Sequence, residues 1–131
     1  MNKEGKDLTL SLSSVAHVAS NASERSLKIA ATHKYFGRFD YVHSGLGLVK
    51  NGIITELRCA TPIWELGESL LICNPWEMID KLNPYEDFRI DRVVLAMNFD
   101  LEAQNTLGSI QSFGEEVMPH LSKNSCPLAA Q

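Results

Sequence analysis

The chain is short of paired cysteines, of long apolar runs and of clustered positive charge, and each shortage removes a class of protein. Cys59, Cys73 and Cys126 are odd in number and form neither a CxxC pair nor a disulfide framework, so they read as buried or incidental thiols. No run reaches the roughly 18 apolar residues of a membrane span, and "MNKEGKDLTLSLSSVAHVA" has no apolar core leading to a cleavage site. A cytoplasmic protein without membrane contact is expected. Lys28, Lys34, Arg38, Lys50, Arg58, Arg89 and Arg92 are dispersed in a chain of net charge -4, which argues against a nucleic-acid partner. No His, Cys and acidic residues fall at metal-ligand spacing, so no metal is expected. What is present, 44% apolar and 21% charged residues in a chain of 131, is the balance of a globular domain. That domain is expected over residues 1–121, with 122–131 as a flexible tail.

The patterns along the chain alternate between strand and helix. "LTLSLSSVAHVA" (Leu8 to Ala19) alternates leucines with polar residues and then turns apolar, which predicts a strand. Asn21 followed by Glu24 resembles a capping box, and Leu27, Ala30, Ala31, Tyr35 and Phe39 recur at helical spacing for about four turns. From Val42 to Glu68, Gly45, Gly47 and Gly52 break any pattern, "KNGII" reads as a turn, and only short helical pieces are expected.

Order returns at Leu70 to Cys73, a short apolar run suited to a strand covered on both faces. A helix must follow at once. Asn74 can cap it, Pro75 loses no needed donor at the first helical position, and Glu77 can reach back to the Asn74 amide. Met78, Ile79 and Leu82 face inward, and "NPYEDF" is expected to close the helix because the residue before proline avoids helical angles. Ile90 and Val93 to Met97 predict a buried strand, completing a parallel βαβ unit. Leu107, Ile110, Phe113, Val117 and Leu121 then form the stripe of a long amphipathic helix, with Gly108 and Gly114 permitting close approach to the sheet.

"ELGESLLICNPWEMIDKLNPYEDFRIDRVVLAMNF" and "SIQSFGEEVMPHL" resemble the C-terminal end of luciferase-like monooxygenases, the flavin-dependent family built on a TIM barrel. The resembling positions are Asn74, Pro75 and Glu77 at the helix opening, and Phe113, Glu115, Glu116, Val117, Met118 and Pro119 in the last helix. "SLSSVAHVASNASERSLKIAATHKYFGRFDYV" is compatible with an earlier strand and helix of the same half. The chain departs from the family where it places Phe88-Arg89-Ile90 and Phe99-Asp100 at positions that usually hold glycine. A whole barrel has eight strand-helix units in about 250 residues, and only about three are recognisable here.

The expected fold is therefore α/β, a partial TIM-barrel-like parallel sheet with flanking helices. The resemblance implies reduced flavin mononucleotide (FMN) as cofactor, O2 and an organic substrate, with a non-catalytic flavin-binding or assembly module as the alternative. Unpaired outer strands predict a homo- or hetero-oligomer.

In an α/β barrel, sites lie at the carboxyl ends of strands, which singles out His17, Asn74 and Asn98 as candidate cofactor contacts. Free amides at the Asn74 helix start suit a phosphate, yet the same residues also make an ordinary helix cap, and that is the preferred reading. A hydrogen-bonded structural role is preferred for His17. Packing is preferred for Trp64 and Trp76. Cys73 has no visible base to make it a nucleophile, and catalytic residues stay unassigned.

Overall fold

The computed structural model of the chain describes residues 9–43, 49–54, 61–88, 90–99 and 103–121. Leu8, Cys59, Cys126 and the expected tail at 122–131 lie outside the described residues. The first strand, β1 (Ser11–Val18), is followed by helix α1 (Ala22–His43), a small hairpin of β2 (Val49–Lys50) and β3 (Ile53–Ile54), and helix α2 (Ile63–Ser69). Then come β4 (Leu71–Cys73), α3 (Pro75–Asp87) and β5 (Arg92–Ala96). A final helical run joins α4 (Ala103–Ser112), a π-helical turn (Phe113–Val117) and α5 (Met118–Leu121).

The fold is α/β, a three-stranded parallel sheet with flanking helices, consistent with a partial α/β barrel-like arrangement. The strand order is β4-β1-β5. The first strand thus lies in the middle, paired with β5 along Ser11 to Val15 and with β4 along Ala16 to Val18. The crossover from β4 to β5 therefore passes over β1, and right-handed connections running in opposite directions put their helices on opposite faces.

The side chains record this alternation. On one face Ala16, Val18, Leu71 and Cys73 pack with Met78, Ile79 and Leu82 of α3 and with Val117. On the other, Val15 and Ile72 pack with Leu66 and Leu70, against Ile29 and Phe36 of α1. Each such Val, Leu, Ile, Met or Phe side chain fully removed from water contributes roughly 1.5–3 kcal/mol.

Several helical stripes depart from expectation. α1 runs for 22 residues, and Leu27, expected inside, is 69% exposed while Lys28 and Thr32 are buried. Leu107 and Ile110 also point outward, whereas Ser109 and Val117 are buried. The π-helical turn explains the second case, because its wider i to i+5 repeat rotates the helix face between Ser109 and Val117. The close approach predicted for Gly108 and Gly114 is absent, since a Cβ on either would touch nothing.

α3 continues through Pro84 instead of ending before it. The amide that proline lacks would have served the carbonyl of Asp80, and both residues are exposed, so water can replace that bond. β5 is only half-buried, with Val94 exposed, because it lies at the edge of the sheet. Trp64 and Trp76, expected in packing roles, are both largely exposed. The "KNG" turn is present, with Asn51 and Gly52 at positive φ of 52° and 76°, the signature of a tight hairpin.

Candidate functional site at the carboxyl ends of the strands

The carboxyl ends of β1 and β4 open into a cleft of about 460 Å³. Its first wall is the turn from β1 into α1. The Asn21 Oδ1 accepts the Glu24 amide at 2.9 Å, and the Glu24 carboxylate reaches back to accept the Ser20 amide at 2.8 Å and the Ser20 hydroxyl at 2.5 Å. The Asn21 half of this cap is the one predicted, whereas the return bond goes to Ser20 and not to the Asn21 amide of a capping box.

The other Glu24 oxygen meets the Nε2 of His17 at 2.8 Å. Burial pushes the Glu24 carboxyl up, but the Ser20 hydroxyl, the His17 ring and the Ser20 amide together outweigh it and hold the group down at about 2. An ionised carboxylate only accepts, so the His17 Nε2–H donates in this bond. The positive end of α1 further favours charge at this place.

The second wall is the start of α3. Asn74 accepts the Glu77 amide at 3.0 Å through its side-chain oxygen, as expected, and Pro75 takes the first helical position. The Glu77 carboxylate does not turn back to Asn74. It lies 3.3 Å from Arg25 and 3.5 Å from Lys81, two stronger partners for an ionised carboxylate. Arg25 also donates to the carbonyls of Ile72 and Gly67, and Lys81 to those of Glu68 and Leu70. Helix α1 is thereby fastened to β4, α2 and α3, and the cleft stands on a braced base.

The third wall is the last helical run, docked by the Ser109 hydroxyl, which accepts the Val18 amide at 2.8 Å. Ser112 and Glu116 line the cleft from this side. Hydroxyls and carboxamides thus face the opening with two carboxylates, Glu24 and Glu116, and no Lys or Arg among its described lining residues. Such a surface offers hydrogen bonds to a polar, uncharged group.

Of the three residues singled out in the sequence, Asn74 lines the cleft. His17 lies at 1% exposure behind Glu24, its ring edge-on to Phe99 at 6.4 Å. Asn98 is exposed two residues beyond Ala96, the last paired residue of β5, and does not line the cleft. Cys73 is fully buried, and burial is the largest influence raising its thiol to about 11, so a thiolate is not present at neutral pH.

Sequence reasoning missed Ser20, Ser109 and Ser112, named Glu116 only within the family-like stretch and not as a site residue, and treated Glu24 only as a cap. The Ser109, Ser112 and Glu116 spacing marks one helix face, a signal that was available, but no local pattern says that this face meets the end of β1. Among the described residues, no three His, Cys, Asp or Glu side chains are grouped to hold a metal, and no helix is long and apolar enough to cross a membrane. No family model matches the chain, and no curated protein matches it. The likeness to luciferase-like monooxygenases therefore rests on the quoted residues alone.

Proposed function

We propose that this chain is a component of a luciferase-like, flavin-dependent monooxygenase, forming one wall of a site for reduced FMN and an organic substrate. The observation that carries this reading is the polar cleft at the carboxyl ends of parallel strands, the usual position of ligand sites in α/β proteins. The residues fit the uncharged parts of a flavin: the Asn74 carboxamide and the Ser112 hydroxyl suit ring carbonyls and side-chain hydroxyls, while Glu24 and Glu116 can accept from N–H and O–H groups. Reduced flavin, when bound, supplies the activation of O2 for transfer of one oxygen atom to the substrate. The chain's own groups would orient the ring and exclude water from it.

A second chain completes the site in this reading. β5 has no strand on its outer side among the described residues, and Leu10, Phe88 and Val94 are more than half exposed. Open strand edges and apolar side chains of this kind favour a homo- or hetero-oligomer.

The alternative, a non-catalytic flavin-binding or assembly module, is favoured by one observation. His17 is 1% exposed and Cys73 is buried as a thiol, so neither reaches a substrate as an acid, base or nucleophile.

Size-exclusion chromatography with light scattering, with and without FMN, tests both. The first reading expects flavin absorbance to co-elute with a dimer or larger species, and O2 uptake when a reductase supplies reduced FMN. Co-elution without uptake selects the module. A flavin-free monomer rejects both.

A further inference from the structure

The cleft has an unlike neighbour. A groove of about 640 Å³ runs along α1 and shares Glu24 and Asn105 with the cleft. Its walls carry Lys28, Lys34 and Arg38, together with Tyr35, the exposed Leu27 and Phe99. Glu24 is the only carboxylate among its described lining residues, and it stands at the cleft end of the groove, about ten residues from Lys34 along α1. Lys28, Tyr35 and Arg38 each already interact with another group, so the relevant property is the sign of the groove's charge and not a vacant cation. Lys34 is exposed on the groove wall.

Two adjoining surfaces of different charge suit a ligand with two different ends. The cleft offers hydroxyls, carboxamides and carboxylates, which repel a phosphate. The groove offers three cations and aromatic surface. From Glu24 to Lys34 the rise along a helix is about 15 Å, the length scale of a small phosphorylated cofactor. The helix starts compete poorly for the anion, because Glu24 and Glu116 stand in the same cleft and Asn21 and Asn74 already accept the Glu24 and Glu77 amides.

We propose that the groove along α1 holds the phosphate end of a phosphorylated ligand whose uncharged polar portion lies in the strand-end cleft. This rests on the flavin reading and assigns the phosphate to Lys34 with Lys28 and Arg38 beside it, away from the helix starts. Among the described residues of the groove wall, Lys34 is an exposed cation that can swing toward the phosphate.

Fluorescence or calorimetric titration of the full chain with FMN and with riboflavin, which lacks the phosphate, tests the assignment. FMN is expected to bind about tenfold more tightly than riboflavin, the worth of one charge-assisted hydrogen bond. That preference should shrink as salt rises. Lys34→Glu should abolish the FMN preference and leave riboflavin affinity unchanged. Inorganic phosphate should compete with FMN and not with riboflavin. Equal affinities for the two flavins, or a Lys34→Glu variant that weakens both alike while melting at the wild-type temperature, overturns the phosphate assignment and leaves the flavin reading standing. Binding of neither flavin overturns both.

Discussion

The two halves of β1 differ in almost every respect although they belong to one eight-residue strand. Ser11 to Ser14 alternate between exposed and half-buried, and with Val15 they pair only with β5. Val15 to Val18 are all buried, and Ala16 to Val18 pair with β4, with helices above and below. The residue types follow the surroundings: serine recurs where one face is open, and Val-Ala-His-Val fills the part covered on both. A polar residue can enter the covered half only with a partner, and His17 has Glu24. The open half supports the strand, whereas the covered half carries the cleft at its end.

The sharpest way to break this comparison is to remove packing from the covered half. Ile72→Ala, at a fully buried residue paired with His17, should cost about 2–5 kcal/mol in denaturant unfolding. A loss below about 1 kcal/mol would mean that the two halves are equally loosely packed.

An intermediate effect is expected at Glu24. Replacing it with Gln removes the ionised acceptor shared by Ser20 and His17 and should cost about 2 kcal/mol at neutral pH, a value moderated by the carboxylate's partial contact with water. The folded group titrates at about 2, below its ordinary 4.5, so its stabilisation is complete above about pH 4.5 and is lost as pH falls toward 2. The stability gap between wild type and Glu24→Gln should therefore narrow across that window. A gap constant from pH 6 to pH 2 would show that the contribution does not come from ionised Glu24.

The smallest effect belongs to the open half. Ser13→Ala, at an exposed position, should change stability by no more than about 0.5 kcal/mol. A larger loss would place a packing partner over Ser13, and the contrast between the halves would fail.

Features fixed by neighbours in sequence were legible. Asn74-Pro75 capped a helix as read, Asn21 capped the Glu24 amide, and Asn51-Gly52 made the hairpin turn. In each, the donor and acceptor, or the backbone preference, lie within a few residues. Helix faces were less legible. Leu27, Leu107 and Ile110 fit apolar stripes yet point outward, because the docked face is chosen by the neighbouring element and, in the last helix, by the π-helical turn. Pro84 misled for a related reason: a proline breaks a helix when the lost bond must stay dry, and here that face is wet.

For the candidate site, the sequence placed Asn74 at a strand end but could not join Ser20, Ser112 and Glu116 around it. Nor could it distinguish scattered lysines from a basic wall, since Lys28, Lys34 and Arg38 face one groove only because of where α1 lies.

By itself the sequence determined an α/β chain with a parallel strand-helix-strand segment, its helix starts and its tight turn. All of these depend on local hydrogen bonding, backbone preference and apolar patterning. Tertiary structure alone decided that β1 is central, that His17 faces Glu24 from behind the cleft, and that a carboxylate-bearing cleft adjoins a groove lined by lysines and an arginine. Those features arise when distant segments bury surface against one another, and that burial has no signature in any single segment.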